Sequence, residues 1–114
     1  MNLNFIIQSL DLKVLTEMKN FDLIVPSGGY TSDLLSCVMA NAPRQGIWVT
    51  LQAHMNIVAV AALLELSAVI ITEGAMPEEA TIAKANHEGI TLLSTPLPSF
   101  YIVGKLWEMG IRNQ

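Results

Sequence analysis

The stretch from Trp48 to Thr72, WVTLQAHMNIVAVAALLELSAVIIT, indicates the fold class because a helix-length apolar run lies between two strand-length ones. The first strand-length run ends at Leu51, the helix-length run begins after Asn56, and the second strand-length run begins at Ala68. Strands that alternate with helices of about ten residues pair in parallel, and helices then cover the sheet. The stretch therefore predicts two adjacent, fully buried parallel strands joined by a helix.

The same alternation continues along the chain. We expect an opening helix over residues 3–9, a hairpin formed by Leu12–Leu15 and Phe21–Val25, and then four strand, loop, helix units. Helix boundaries are marked by Thr31 or Ser32, Pro43, Asn56, Pro77, Gly89, Ser99 and Gly110. The predicted architecture is a single small α/β domain over residues 1–114, with a mixed, mostly parallel sheet flanked by helices.

Composition and charge argue against several classes of partner. The 114 residues carry 6 Lys and Arg against 10 Asp and Glu, a net charge of −4, and the basic residues are scattered singly, so we expect no nucleic acid partner. The longest apolar run, Ile57–Leu64, is far shorter than the roughly 20 residues that cross a bilayer, so we expect no membrane span. The single Cys37 and a start without an export signal favour the cytoplasm.

Polar residues cluster where the predicted strands end. In a parallel sheet every strand-to-helix loop lies at the carboxyl edge, where helix N-termini favour anions. Four loops should meet there: Gly28–Asp33, Gln52–Asn56, Thr72–Gly74 and Thr95–Ser99. The candidate ligand-binding residues are Gly28, Gly29, Gln52, His54, Asn56, Thr72, Glu73, Gly74 and Thr95. For Asn56, Thr72 and Ser99, capping and loop hydrogen bonds are the preferred explanation over ligand contact, and for His54 we keep both loop locking and recognition open.

Three segments carry a resemblance to a known family. They are GGYTSDLLSCVMANA, GIWVTLQAHMNIVAVAALLELSAVIITEG and PEEATIAKANHEGITLLSTPLPSFYIVGKLWEMGI, and together they cover roughly Ser27 to Ile111. The sequence resembles the DRTGG domain family in its small stand-alone form. The resemblance implies a regulatory, dimerising α/β module related in fold to the N-terminal domain of HPr kinase/phosphorylase. At the positions of the family's name motif, this sequence has Ala53 and His54 in place of Asp-Arg, and Thr72, Glu73 and Gly74 in place of Thr-Gly-Gly. The loss of the Arg removes a cation, and Glu73 adds an anion.

The chain lacks the motifs of several enzyme classes. No G-x-x-x-x-G-K-[ST] sequence occurs, so we expect no phosphotransfer by this chain alone. His54 and His87 lie in separate units without a closely spaced ligand pair, so we expect no metal, no cofactor and no assigned catalytic residue. Two hypotheses remain. The first is a non-catalytic regulatory or adapter domain that senses a nucleotide-like or other small anionic ligand and reports to a protein partner; the second is a small enzyme that uses His54 with Glu73 or Asp33.

Two helices are richer in apolar residues than one buried face requires. The helix that begins at Ile57 is apolar on all sides, which predicts a homodimer contact through its Ala59–Ala62 face or cover by neighbouring helices. The last helix places Phe100, Val103 and Trp107 on one flank, with Ile102, Leu106 and Met109 on another. For that helix the sequence leaves core packing and an interface equally open.

Overall fold

A mixed five-stranded sheet with helices on both faces forms the domain in the computed structural model, which describes residues 1–113. The strands are β1 (Lys13–Val14), β2 (Gly29–Thr31), β3 (Ile47–Thr50), β4 (Ala68–Ile71) and β5 (Leu92–Ser94). The helices are α1 (Leu3–Ser9), α2 (Leu35–Asn41), α3 (Asn56–Leu63), α4 (Glu79–Glu88) and α5 (Ser99–Glu108). The predicted α/β class is confirmed, and so are the three strand, loop, helix units that begin with β3, β4 and β5.

The strand order of the sheet is β1-β5-β4-β3-β2. The strands β2 to β5 run parallel, and β1 pairs antiparallel with β5 through Lys13 opposite Ser94 and Val14 opposite Leu93. Because β3 lies next to β4, and β4 next to β5, their carboxyl ends are adjacent along one edge. The loops that follow these three strands are therefore neighbours, as the sequence predicts.

Each central strand contributes side chains to two separate cores, one on each face of the sheet. Ile47 and Val49 of β3 point to the face covered by α1 and α5, whereas Trp48 points to the face covered by α2, α3 and α4. All four residues of β3 and of β4 are buried. Burial on both faces explains why these strands are continuously apolar rather than alternating.

The beginning of the chain corrects two predictions. The hairpin is wrong: β1 pairs with β5, while Phe21–Leu23 forms a 3-10 turn beside α1. Gly29, Tyr30 and Thr31, which the sequence assigns to a loop, form the edge strand β2 beside β3. Short strands such as these have too few residues to display a periodic pattern, so pairing partners distant in sequence decide them.

Helix starts also differ from the predicted ones. Asn56 and Ser99 are the first helical residues of α3 and α5 rather than side-chain caps, and α4 begins two residues after Pro77. The helix ends agree better, because Gly89 adopts a left-handed φ of +73° just after α4 and Gly110 a φ of +95° shortly after α5. No helix within residues 1–113 has the length and apolarity needed to span a membrane.

The apolar helix α3 is mostly covered within the chain. Ile57, Val58, Val60 and Ala61 are buried, and α3 contacts both α2 and α4. Ala59 and Leu63 remain exposed. The sequence leaves two explanations open for the apolar surface of α3, a homodimer contact and cover by neighbouring helices. Cover by neighbouring helices accounts for most of that surface.

Candidate functional site

The carboxyl edge of the sheet gathers seven of the nine candidate residues. Gln52, His54 and Asn56 follow β3, whereas Thr72, Glu73 and Gly74 follow β4 and Thr95 follows β5. His54 and Asn56 are exposed, and Thr72 and Thr95 are buried. The edge thus combines exposed loop residues after β3 and β4 with buried threonines after β4 and β5.

Asp33 holds the loop that follows β3. Its Oδ1 accepts hydrogen bonds from Thr50 Oγ1 at 2.8 Å and from the Leu51 backbone N–H at 2.9 Å. The Gln52 side chain donates to the Asp33 carbonyl at 3.1 Å, and the Gln52 N–H donates to Thr50 Oγ1 at 3.1 Å. The Gln52 side chain is therefore directed toward the β2–α2 loop, and it is engaged in holding two loops together.

Glu73 plays a similar part between the loops after β4 and β5. Its Oε2 accepts from the Ser99 N–H, the first of α5, at 2.9 Å, and its own N–H donates to the Leu97 carbonyl at 2.9 Å. Glu73 has a φ of +62° and is followed by Gly74 at +73°, so the chain turns through two left-handed residues here. The carboxylate of Glu73 fills the position at the α5 N-terminus where the sequence predicts an anionic ligand.

The hydroxyl groups near Glu73 add further hydrogen bonds within and between the loops after β4 and β5. Thr72 Oγ1 lies 2.5 Å from Ser99 Oγ, and Thr95 Oγ1 accepts from the Leu97 N–H at 3.2 Å. Gly74 donates its N–H to the Thr95 carbonyl at 3.1 Å. Ligands of open α/β sheets bind where successive helices depart to opposite faces, as α4 and α5 do here. In this chain the loops after β4 and β5, which border that crevice, are hydrogen-bonded to each other.

His54 lies two residues before the first helical residue of α3. Its Nδ1 accepts the Asn56 N–H at 3.2 Å, so the ring locks the loop through Asn56, one of the two roles that the sequence leaves open. A neutral ring that accepts at Nδ1 carries its proton on Nε2. Within residues 1–113 no group is hydrogen-bonded to Nε2, and the residue is exposed. His54 therefore presents one hydrogen-bond donor to solvent beside the exposed Asn56.

Gly28 and Gly29 lie at the opposite edge of the sheet, which corrects their assignment to the carboxyl edge. Gly29 is the first residue of β2, and its N–H donates to Asn113 Oδ1 at 3.0 Å. A Cβ on Gly28 would overlap that same oxygen, and a Cβ on Gly29 would stand 3.3 Å from Ile111 Cγ2. The glycine pair is therefore explained by the close approach of the segment that follows α5.

The outer face of α5 is the main feature that the sequence leaves unresolved. Ile102 and Leu106 are buried in the core, but Phe100 is 93% exposed and Trp107 is 58% exposed. Beside them an apolar cleft of about 350 Å³ lies between α5 and β2, lined among others by Thr31, Val103 and Trp107. The Arg112 guanidinium stacks on the Trp107 ring at 4.9 Å from its centroid. One flank of α5 is thus core and the other is open.

The remaining candidates for chemistry are dispersed. His87 is exposed near the end of α4, and Cys37 is half-buried on α2. Across the described part of the chain, no three His, Cys, Asp or Glu side chains come together as a metal site. Neither Asp33 nor Glu73 hydrogen-bonds to His54 within residues 1–113.

Comparison of the sequence with family models and with curated proteins finds no match. The fold is similar to a solved structure of the CBS and DRTGG domains of the regulatory region of Clostridium perfringens pyrophosphatase, complexed with the activator diadenosine tetraphosphate. The TM-score is 0.72 at 20% sequence identity, over 90% of this chain and 44% of that one, so this chain spans less than half of its neighbour. This chain has the fold of a DRTGG-like domain, which confirms at the level of the fold what the sequence resemblance implies.

Proposed function

We propose that the chain is a non-catalytic regulatory or adapter domain that works as a homodimer and senses a nucleotide-like or small anionic ligand. The observation that carries the proposal is that Asp33 and Glu73 are already hydrogen-bonded to other loops of the chain. These are the two carboxylates that the enzyme hypothesis would pair with His54. Both accept backbone N–H groups of neighbouring loops, at 2.9 Å in each case. Both carboxylates thus position loops, and neither is hydrogen-bonded to His54 within residues 1–113.

The β3–α3 loop is an exposed part of the carboxyl edge that presents a fixed hydrogen-bond donor. His54 and Asn56 are exposed there, and the ring of His54 is held in place by its hydrogen bond to the Asn56 N–H. A donor fixed in this way recognises an acceptor such as a phosphate oxygen with little loss of side-chain entropy. Gln52, Thr72, Glu73, Gly74 and Thr95 then support the site by holding its loops, and Gly28 and Gly29 take no part.

The similar fold of a regulatory region supports the choice of ligand class. That solved structure contains a dinucleotide activator, and we propose the same chemical class for this chain. The departure from the family's name motif at Ala53, His54 and Glu73 changes the charge of the edge, so recognition here relies on neutral donors. A protein partner would then respond to the ligand-bound state.

A thermal-shift experiment with diadenosine tetraphosphate, ATP and AMP tests the ligand. A probe at a hundredfold excess over its Kd stabilises the folded chain by about 2.7 kcal/mol. We expect His54→Ala to reduce this shift strongly and His87→Ala, an exposed histidine on α4, to leave it unchanged. The absence of a shift with every probe would contradict ligand sensing at this loop.

The same proteins test the alternative of a small enzyme. Turnover of a nucleotide probe that is lost in both His54→Ala and Glu73→Gln, or in both His54→Ala and Asp33→Asn, would favour catalysis over sensing. Binding without turnover in the wild type, with correctly folded variants, is the result that the regulatory function predicts.

A further inference from the structure

The outer face of α5 carries a stripe of four residues, of which Phe100, Gly104 and Trp107 are exposed and Val103 packs partly against the core. Phe100, Val103, Gly104 and Trp107 recur at the three- and four-residue spacing that places side chains on one side of a helix. Phe100 is 93% exposed and Trp107 is 58% exposed. We refer to these four residues as the α5 stripe, and together they form an apolar surface interrupted only by a glycine.

Gly104 has no internal reason to be a glycine. It lies in the interior of α5, where glycine destabilises a helix relative to alanine. A Cβ built at this position meets no atom within 4 Å, so no contact inside the chain requires the missing side chain. A glycine flanked by two exposed aromatic residues lets a second helix approach closely, which indicates a neighbour outside the chain.

We infer that the α5 stripe is the contact surface for a second copy of this chain, with the two α5 helices crossing antiparallel about a twofold axis at Gly104. This inference rests on the homodimer proposed above and names its interface. The axis would place Phe100 of one copy at the level of Trp107 and Glu108 of the other. The apolar cleft of about 350 Å³ lies beside Trp107 and is open to receive the Phe100 ring.

Self-complementarity is the argument for a second copy rather than a different protein. A twofold contact needs the same patch to supply both the protruding group and its receptor, and here one patch contains both. Lys105 and Glu108, which flank the stripe, lie 3.7 Å apart within the same helix, so the flank is close to neutral when two copies meet. A neutral flank matters because each copy carries a net charge of −4.

The two exposed aromatic side chains supply part of the area that a stable contact needs. Aromatic side chains bury about 150–250 Å² each, so the exposed parts of Phe100 and Trp107 supply roughly 300 Å². That is more than a third of the about 800 Å² that each partner contributes to a standard interface. Arg112 stacks on Trp107 at 4.9 Å and donates from Nε to the Trp107 carbonyl at 3.2 Å. This stacking orders the Trp107 ring in advance and lowers the entropy lost on association.

Sedimentation equilibrium over the micromolar range, on the wild type and on Phe100→Glu, tests the interface. The Phe100 side chain is almost fully exposed, so its replacement leaves the core intact. We expect a dimeric wild type and a dissociation constant at least about 30-fold higher in Phe100→Glu, as for a central interface residue. The matched control is Leu63→Glu on α3, which is 59% exposed and should leave the constant within about threefold of wild type.

A second variant guards against misfolding as an explanation. Gly104→Leu improves the helix propensity of α5 and meets no atom within 4 Å at its Cβ, so circular dichroism should show a folded chain. We expect it to weaken the dimer by a similar factor. A dimeric wild type whose dissociation constant is unchanged in both Phe100→Glu and Gly104→Leu would overturn this interface and leave the homodimer standing. A monomeric wild type would overturn both.

Discussion

The carboxyl edge of the sheet and the α5 stripe differ in how their side chains are used. At the carboxyl edge Asp33, Gln52 and Glu73 are all hydrogen-bonded to other loops of the same chain. On α5, Phe100 and Trp107 are exposed although they are apolar. Polar residues that suggest chemistry in the sequence thus hold loops together, while apolar residues that could have formed a core remain exposed. An exposed apolar patch is the more informative observation of the two.

The largest expected effect tests whether the carboxyl edge is structural. Asp33→Ala removes the acceptor for the Leu51 N–H and for Thr50 Oγ1, and Thr50 is completely buried. We expect a loss of about 1–3 kcal/mol in the free energy of unfolding, measured by urea denaturation. Asp33→Asn keeps an oxygen acceptor and should lose less. A change within about 0.5 kcal/mol in Asp33→Ala would mean that the network contributes nothing to stability and that Asp33 is available for other work.

Glu73→Ala sharpens the same comparison at the neighbouring loops. The substitution leaves the Ser99 N–H at the start of α5 without its carboxylate acceptor. Loss of a cap of this kind costs about 0.5–2 kcal/mol. Glu73→Gln retains an acceptor oxygen but loses the favourable interaction with the helix dipole, so it should lie between wild type and Glu73→Ala. If Glu73→Ala instead raised the stability, the carboxylate would be held there at a cost, as expected of a functional group.

The β3–α3 loop provides a paired comparison between His54 and Asn56. The His54 ring accepts the Asn56 N–H at 3.2 Å, so His54→Ala should lower the free energy of unfolding by about 0.5–1 kcal/mol. Asn56 makes no side-chain hydrogen bond within residues 1–113, so Asn56→Ala should stay within about 0.5 kcal/mol of wild type. Parallel denaturant melts of the two variants give the order directly. The reverse order would restore Asn56 as the cap that the sequence predicts.

The smallest effect concerns Gly104 and has the opposite sign. In a Phe100→Glu background, where we expect a monomer, Gly104→Ala should raise the free energy of unfolding by roughly 0.5–1 kcal/mol, because alanine is the better helix former. No atom lies within 4 Å of the added Cβ to oppose the gain. Destabilisation in that background would show that Gly104 is required inside the chain and would remove its support for the α5 contact.

The central part of the fold could be predicted because its signals are local. The all-buried strands IWVT and AVII, and Gly89 at the end of α4, each follow from a run of a few residues. The β2 strand could not be predicted in the same way, since Gly28 and Gly29 indicate a loop. They accommodate Ile111 and Asn113, which lie more than 80 positions further along the chain. The opening hairpin failed for the same reason, because the partner of Val14 is Leu93.

The candidate site shows a second limit of prediction from sequence. Parallel pairing predicts which loops are neighbours. It places the loop of Gln52, His54 and Asn56 beside the loop of Thr72 and Glu73, as observed. The partners of these side chains could not be predicted, because a polar residue in a loop is equally consistent with a ligand contact and with a hydrogen bond to a neighbouring loop. For α5, the helical period identifies the flank with Phe100 and Trp107 but gives no means of deciding what covers it.

The concentration dependence of the melting temperature tests the central comparison most directly. A dimer is stabilised by mass action, so a hundredfold rise in protein concentration should raise the Tm of the wild type by about 5 °C for a domain of this size. The Tm of Phe100→Glu should not depend on concentration, whereas Leu63→Glu should behave like the wild type. A wild-type Tm that stays constant over the same range would contradict the assignment of the α5 stripe to a second copy of the chain.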